Sequence, residues 1–171
     1  MQNTKKKINK KNQKKKTDRI LLLDNIRSAE NVGSLFRTSD AVGIDKIYLI
    51  GITPSPLDRF NRPNQKVVKA SLGAEATISF ATAKLIAPLI KKLKKEGYQI
   101  IAIEQSEKSV DYKKVKIKDK TVFILGNEVK GIHPKTLSIS DLVAEIPMNG
   151  EKESLNVSVS GGIALFRMLG F

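Results

Sequence analysis

The sequence predicts an α/β domain in which a mostly parallel sheet is flanked by helices. Short runs rich in Ile, Leu and Val alternate along the chain with segments of helical periodicity, and Gly, Asp, Asn or Pro bound these runs. Strands that alternate with helices form parallel sheets covered on both faces. The 171 residues fit one such domain, whose core is large enough to need no cross-link.

The predicted elements follow the chain in regular alternation. The predicted strands cover residues 19–23, 46–50, 99–103, 121–125 and 142–146. The predicted helices cover residues 31–42, 82–96 and 154–169. Residues 51–66 contain three prolines and therefore predict a loop.

The start of the chain differs in composition from the rest. Its first 17 residues contain eight lysines and no acidic residue, and they offer almost nothing to bury. Residues 1–18 therefore predict a disordered, lysine-rich arm, and residues 19–171 predict the folded domain. The net charge of +14 favours a polyanionic partner, namely RNA, DNA or an anionic membrane surface.

Composition excludes several kinds of site. The chain has no cysteine and one histidine, His133, so disulfides, cysteine nucleophiles and cysteine or multi-histidine metal sites are excluded, and we expect no metal. His133 precedes Pro134, which favours a turn residue. No apolar run approaches the ~20 residues of a membrane span, and no secretory signal is visible, so we expect no membrane partner and a cytoplasmic location.

Ligands of open parallel sheets bind beyond the carboxyl ends of the strands. Residues 24–37, 126–131 and 147–156 follow predicted strands and are therefore the segments that we expect to carry chemistry.

In the first segment, Gly33, Arg37 and Asp40 share one stripe of the predicted helix. Glycine inside a helix costs about 1 kcal/mol relative to alanine, so a bare Gly33 suggests that a ligand or another backbone approaches there, below the Arg37 guanidinium. The alternative is that Asn31 caps the helix and that Arg37 forms a surface pair with Asp40.

In the second segment, Gly126 and Gly131 flank polar residues after a buried strand, as in a tight ligand-binding turn. The Lys and Ser/Thr of a phosphate-binding loop are missing, so a nucleoside triphosphatase is excluded. In the third segment, Ser154 is a natural N-cap for the last helix, and Asn156 would face a ligand from its first turn. For the second segment the alternative is an ordinary turn, and for the third it is simple capping of the helix.

The last helix is apolar on almost all sides, which predicts burial on more than one side. In so small a domain, the second side favours another subunit. The alternative is a terminal helix packed deep in a single core.

Together and in this order, the three segments resemble the motifs of the SpoU–TrmH family of RNA ribose methyltransferases. The resemblance covers about residues 20–171, and three motifs in order are more specific than any one. The matching residues are Asn31, Gly33 and Arg37; Leu125, Gly126, Glu128 and Gly131; and Ile146, Pro147, Met148, Ser154, Leu155, Asn156, Val157 and Ser158.

The resemblance implies a C-terminal deep trefoil knot, a homodimer, S-adenosyl-L-methionine as cofactor and methylation of a ribose 2′-hydroxyl of tRNA or rRNA. The residues that it places at the cofactor are Gly126, Ile146 and Leu155, with Ser154 close by. The residues that it places at the reaction centre are Asn31, Arg37, Glu128, Ser154 and Asn156.

The chemistry of these side chains suits methyl transfer. A guanidinium with a pKa above about 12 is a poor base, so we expect Arg37 to hold the ribose-phosphate and stabilise the developing alkoxide. Glu128 would orient Arg37, and Asn156 would fix the ribose. The rival hypothesis is a non-catalytic RNA-binding protein on the same fold, which the lysine-rich arm alone would support. A base methyltransferase of knotted fold would lack the Asn/Arg motif.

Overall fold

Seven parallel strands form one sheet in the computed structural model, which describes residues 17–171. The strands are β1 (Asp18–Asp24), β2 (Lys46–Ile50), β3 (Ser79–Ala83), β4 (Gln99–Ile103), β5 (Val110–Asp111), β6 (Lys120–Leu125) and β7 (Leu142–Glu145). They lie in the order β3-β2-β1-β6-β4-β7-β5, and every pairing is parallel. The predicted parallel sheet is confirmed.

Six α-helices connect and cover the strands. They are α1 (Ala29–Val42), α2 (Gln65–Ser71), α3 (Ala74–Thr77), α4 (Ile86–Lys95), α5 (Pro134–Ser138) and α6 (Val157–Leu169), with a 3-10 turn at Tyr112–Lys114. No helix within residues 17–171 is long and apolar enough to cross a membrane.

Each of the five predicted strands is present, but the predicted helix at residues 82–96 is wrong at its start. Residues 82 and 83 belong to β3, and α4 begins only at Ile86. Strand β3 is an edge strand in which Phe80 is the one large apolar residue and two of the five residues are solvent-exposed, so it lacks the apolar run that marks a buried strand. The predicted arm lies outside the described residues up to residue 16, and Asp18 already belongs to β1.

Two apolar clusters cover the two faces of the sheet. Alternate residues of β1 point to opposite faces: Leu21 and Leu23 pack toward α1 and α6, whereas Ile20 and Leu22 pack toward α4. The sheet therefore has helices on both sides, and its carboxyl edge is left for ligands.

The helix caps differ from the predicted ones. Ser28 caps α1 by accepting a hydrogen bond from the Asn31 amide over 3.1 Å, so Asn31 lies inside the first turn. At α6 the cap is Asn156, whose side chain accepts from the Ser158 and Val159 amides, and the predicted cap at Ser154 is wrong. Both residue types are good caps, and the irregular path of residues 146–156 decides between them.

Gly33 marks the place where α2 approaches α1. A Cβ atom there would lie 2.4 Å from the Val67 carbonyl oxygen and 2.6 Å from Ala70 Cβ. The close approach that the sequence predicts at Gly33 is therefore made by the backbone of α2, and not by a ligand. Asp40, on the same stripe, accepts a hydrogen bond from the Thr77 hydroxyl over 2.9 Å instead of pairing with Arg37.

Candidate active site

The Glu128 carboxylate lies at the centre of the carboxyl edge, where β6 ends. It accepts hydrogen bonds from the backbone amides of Arg27 and Ser28 over 2.9 and 3.0 Å. The Asn31 side-chain amide donates a third bond to it over 3.0 Å. One carboxylate thus fixes the start of α1 against the turn that follows β6.

Asn31 also forms a hydrogen bond with Asn156, in the third segment. Its Oδ1 accepts a hydrogen bond from Nδ2 of Asn156 over 3.1 Å. Since Nδ2 of Asn31 is bound to Glu128, the amide can adopt only one orientation. The three sequence-predicted residues therefore form one chain of hydrogen bonds, from Glu128 through Asn31 to Asn156.

These bonds also set the ionisation of Glu128. Burial raises the pKa of the carboxyl, but the hydrogen bonds from Ser28, Arg27 and Asn31 together lower it more, so that the pKa lies below its ordinary value. Glu128 is consequently an anion at neutral pH.

Arg37 lies apart from this chain of hydrogen bonds. It is six residues from Asn31 on α1, about 9 Å along the axis, and its side chain is exposed beside Asp40 and the α2–α3 turn. Within residues 17–171 its guanidinium makes no hydrogen bond or ion pair, and Glu128 binds backbone amides and Asn31 instead. The described chain therefore does not bring Arg37 together with Glu128.

A small cavity of about 90 Å³ lies between the end of β4 and the segment after β7. Three of the four residues that the sequence placed at the cofactor line it: Ile146, Ser154 and Leu155. The segment is tied down by Gln105, whose Nε2 donates to the Glu153 carbonyl over 2.7 Å.

Gly126 is buried beside the turn but does not line this cavity. A Cβ atom there would lie 2.6 Å from the Gly131 carbonyl carbon and 2.7 Å from the Ile132 nitrogen. Gly126 is therefore required for the closure of residues 126–131, which we call the glycine turn.

Glu104 is a site residue that sequence reasoning missed. It follows β4 directly, lines the small cavity, and accepts a hydrogen bond from the Ile132 amide over 2.8 Å. It thereby connects the cavity with the glycine turn. A sequence signal was present, because Glu104 is the first polar residue after the apolar run of β4, as Asp24 is after the apolar run that ends at Leu23.

A second cavity of about 580 Å³ is lined by the glycine turn and lies at the ends of β1, β2 and β6. Its lining includes Asp24, Arg27 and His133. No group of three or more His, Asp or Glu side chains that could hold a metal ion occurs in the part of the chain that the structure describes.

The chain matches the SpoU rRNA Methylase family over residues 18–166. It is 34% identical over 146 residues to the 23S rRNA (guanosine-2′-O-)-methyltransferase RlmB of Neisseria meningitidis, covering 85% of this chain and 56% of that protein. It is 31% identical over 158 residues to the tRNA (guanosine(18)-2′-O)-methyltransferase of Aquifex aeolicus, covering 90% and 70%.

Solved structures of similar chains have the same fold. An AdoMet-bound rRNA methyltransferase from Sinorhizobium meliloti superposes with a TM-score of 0.79 at 28% identity, covering 90% of this chain and 56% of that one. The A. aeolicus TrmH/SpoU tRNA modifying enzyme gives 0.78 at 29% identity, covering 90% and 74%. The chain thus spans little more than half of the Neisseria and Sinorhizobium proteins.

Proposed function

Because the chain belongs to the SpoU rRNA methylase family, we propose that it transfers a methyl group from S-adenosyl-L-methionine to a ribose 2′-hydroxyl of tRNA or rRNA. The observation that carries the proposal is the hydrogen-bonded chain of Glu128, Asn31 and Asn156, which lies beside a cavity lined by Ile146 and Leu155. A protein that only binds RNA needs no such fixed side chains. We expect it to act in the cytoplasm, where tRNA and rRNA are found.

The lining of the small cavity suits the cofactor. Ile103, Ile146, Met148 and Leu155 offer apolar walls for an adenine ring, and Glu104 supplies a carboxylate. Small-ligand pockets measure about 300 to 1,000 Å³, so the cavity of about 90 Å³ must widen on binding. Residues 149–155 have no regular secondary structure and would move, with release of the Gln105–Glu153 bond.

The bound cofactor supplies an electrophilic methyl carbon, and the protein must place a ribose oxygen in line with it. Asn156 and Asn31 lie between the cavity and Glu128 and would fix the ribose hydroxyls. Ser154 lines the cavity next to the same helix start. Arg37, which is exposed and unpaired within residues 17–171, would bind the RNA phosphate and stabilise the developing alkoxide.

The proposal includes a deep trefoil knot in the C-terminal part. In the sheet, β7 lies between β4 and β5, which are consecutive in the chain. The chain therefore returns to insert β7 between two strands that precede it, and α6 packs against the 3-10 turn that follows β5. Both features support a threaded C-terminal segment.

The proposal also includes a homodimer. Val159, Ile163 and Phe166 form one stripe on α6 and are 48%, 38% and 42% exposed. These side chains repeat at i, i+4 and i+7, as in a helix face that packs against a partner.

Outside the described residues, the lysines of the arm would add RNA affinity without sequence preference.

The test is a methylation assay with purified protein, isotope-labelled S-adenosylmethionine and unmodified tRNA and rRNA transcripts. Mass spectrometry of the digested RNA should detect 2′-O-methylribonucleosides. Asn31→Ala should abolish them while calorimetry still detects binding of S-adenosylhomocysteine. Methylated bases, or RNA binding without any methylation, would contradict the proposal.

A further inference from the structure

We propose that the cavity of about 580 Å³ binds the base of the nucleotide to be methylated, and that Asp24 selects guanine there. The inference rests on the proposed function, because it assumes an RNA nucleotide at Asn31 and Asn156. It goes beyond that function by naming the base and the side chains that recognise it. Of the residues that match the three sequence motifs, only Gly131 lines this cavity.

Asp24 is the central observation. Its side chain is at the end of β1 and only 5% exposed, yet it lines the cavity. Asn25 donates one hydrogen bond to its Oδ1 over 2.8 Å, and within residues 17–171 its other oxygen has no hydrogen-bond partner. Asp24 is therefore mostly shielded from solvent, and its second oxygen is free to accept hydrogen bonds from a ligand in the cavity.

The chemistry of the four bases selects among possible ligands. Only guanine presents two neighbouring donors, N1–H and the 2-amino group, which one carboxylate can accept together. Adenine and cytosine place an acceptor beside their amino group, and uracil flanks its single N–H with carbonyl oxygens. Those acceptors would face the carboxylate and repel it.

Burial raises the pKa of Asp24, and the hydrogen bond from Asn25 and the electrostatic influence of the nearby His133 side chain partly oppose this. Two additional donors from a guanine edge would favour the ionised carboxylate in the same way. A bound guanine edge would therefore stabilise the ionised form of Asp24.

His133 offers the complementary donor. Its Nδ1 accepts a hydrogen bond from the Lys135 amide over 3.2 Å, which leaves the proton of the neutral ring on Nε2. An Nε2–H group can donate to the guanine O6 atom, which lies next to N1. Ile52 and Val129 also line the cavity and are 67% and 77% exposed, so they offer apolar contact to the faces of a base.

The floor of the cavity is held in place before any ligand binds. Asn25 has a left-handed backbone conformation, with φ at 57°, which is uncommon outside glycine. Its side chain bonds Asp24 and the Ile52 amide, and its carbonyl accepts from the Asn127 side chain over 2.7 Å. Strained residues held by several bonds are typical of functional sites.

The cavity continues into the site of methyl transfer. Arg27 lines both the cavity and the shallow groove formed with Ser28, Asn31 and Glu128. Asn127 faces the cavity, and its neighbour Glu128 faces the groove. A nucleotide whose ribose lies at Asn31 therefore has its base next to Asp24. A phosphate is a poorer occupant, because the carboxylate would repel it.

The test is an NMR titration of the ¹⁵N-labelled full chain with 5′-monophosphates of guanosine, inosine and adenosine. Inosine lacks only the 2-amino group. GMP should shift the amide signals around Asp24 and the glycine turn and bind roughly five- to a hundredfold more tightly than IMP. AMP should bind no better than IMP.

Two variants separate the roles of the side chains. Asp24→Asn should remove the preference for GMP over IMP. His133→Ala, at an exposed position, should weaken the binding of GMP and of IMP equally, because both nucleotides carry O6. Glu96→Gln removes the same charge at the opposite end of the sheet and should change nothing. Equal affinities for GMP and IMP in the wild type, or an unchanged preference in a folded Asp24→Asn, would overturn the inference.

The methylation assay distinguishes this inference from the proposed function. We expect 2′-O-methylguanosine as the product. A different 2′-O-methylnucleoside would leave the proposed function intact and refute the guanine site. Binding of GMP that depends on Asp24, without any methylation of RNA, would support the guanine site and refute the proposed function.

Discussion

Nδ2 of Asn156 donates a hydrogen bond to Oδ1 of Asn31 over 3.1 Å, although 125 positions separate the two residues in the chain. The orientation of Asn156 follows from its role as the cap of α6. Its Oδ1 is used by the Ser158 and Val159 amides, so its NH₂ group must point away from the helix. The start of α6 thereby aims a donor at the start of α1.

The variant Asn156→Asp separates the cap from this contact. Asp and Asn cap helices about equally well, so the free energy of unfolding should change by less than about 1 kcal/mol. The variant loses the donor to Asn31, whose amide cannot turn over because Glu128 holds it. Methylation should fall at least tenfold with a nearly unchanged thermal unfolding curve. Wild-type activity in this variant would show that the contact is unimportant.

The acid dependence of stability should report on Glu128. Its pKa is lowered in the folded chain, so its contribution is complete above the ordinary carboxyl pKa, about 4.3, and is lost as the pH falls through the lowered value. The free energies of unfolding of the wild type and of Glu128→Gln, measured with denaturant, should differ by a constant amount from about pH 5.5 to 7. The difference should shrink below pH 4, and a difference that grows there would contradict the assigned direction.

Arg37→Ala should reduce RNA methylation without changing the stability of the fold. The side chain is exposed and makes no polar contact within residues 17–171, so stability should change by no more than about 0.5 kcal/mol. Binding of S-adenosylhomocysteine should be unchanged in calorimetry. Methylation should fall by about two orders of magnitude or more, because the phosphate and the developing alkoxide lose their cation. Lys95→Ala, also exposed, is the control, and retention of half the turnover by Arg37→Ala would refute the role.

Gly33→Ala should destabilise the contact between α1 and α2. Alanine is the better helix former by about 1 kcal/mol, but its Cβ would lie 2.4 Å from the Val67 carbonyl oxygen. Overpacking of this kind costs about 1–3 kcal/mol, so the melting temperature should fall. Ser34→Ala, one position along the same helix, should not lower it. A rise for Gly33→Ala would mean that α2 can move away freely.

The stripe on α6 should hold two chains together. Light scattering of the wild type should give about 38 kDa, twice the chain mass of 18.9 kDa. Phe166→Glu places a charge at the C-terminal end of this apolar stripe and should give monomers or aggregates. Lys95→Glu, on α4, should remain dimeric. A wild-type chain that is monomeric at micromolar concentration would contradict the proposal.

Sequence patterns predicted the parts of the fold that repeat simple physical signals. Buried strands such as β1 are continuous apolar runs, and each was predicted within a residue or two. The short helices α2, α3 and α5 are too short to show a period, and β3 has no apolar run because it is an exposed edge.

The motifs placed Asn31, Glu128 and Asn156 in one site, and the structure brings them into contact. Pattern reasoning did not place Arg37 correctly relative to Glu128, because six positions on a helix turn a side chain to another face. It also could not choose between Ser154 and Asn156 as the cap, since that choice depends on the irregular path before α6.

The glycine turn lines the large cavity and is connected to the small cavity through Glu104. The Glu104 carboxylate, which lines the small cavity, lies close to Gly131 and accepts a hydrogen bond from the Ile132 amide. Gly131 in turn lines the large cavity. A ligand in the small cavity that displaced Glu104 would release its hydrogen bond to the Ile132 amide and could thereby shift the glycine turn beside the large cavity. Binding of the proposed cofactor and of the proposed base would then be thermodynamically linked. Any factor by which the cofactor changed the affinity for the base would equal the factor by which the base changed the affinity for the cofactor.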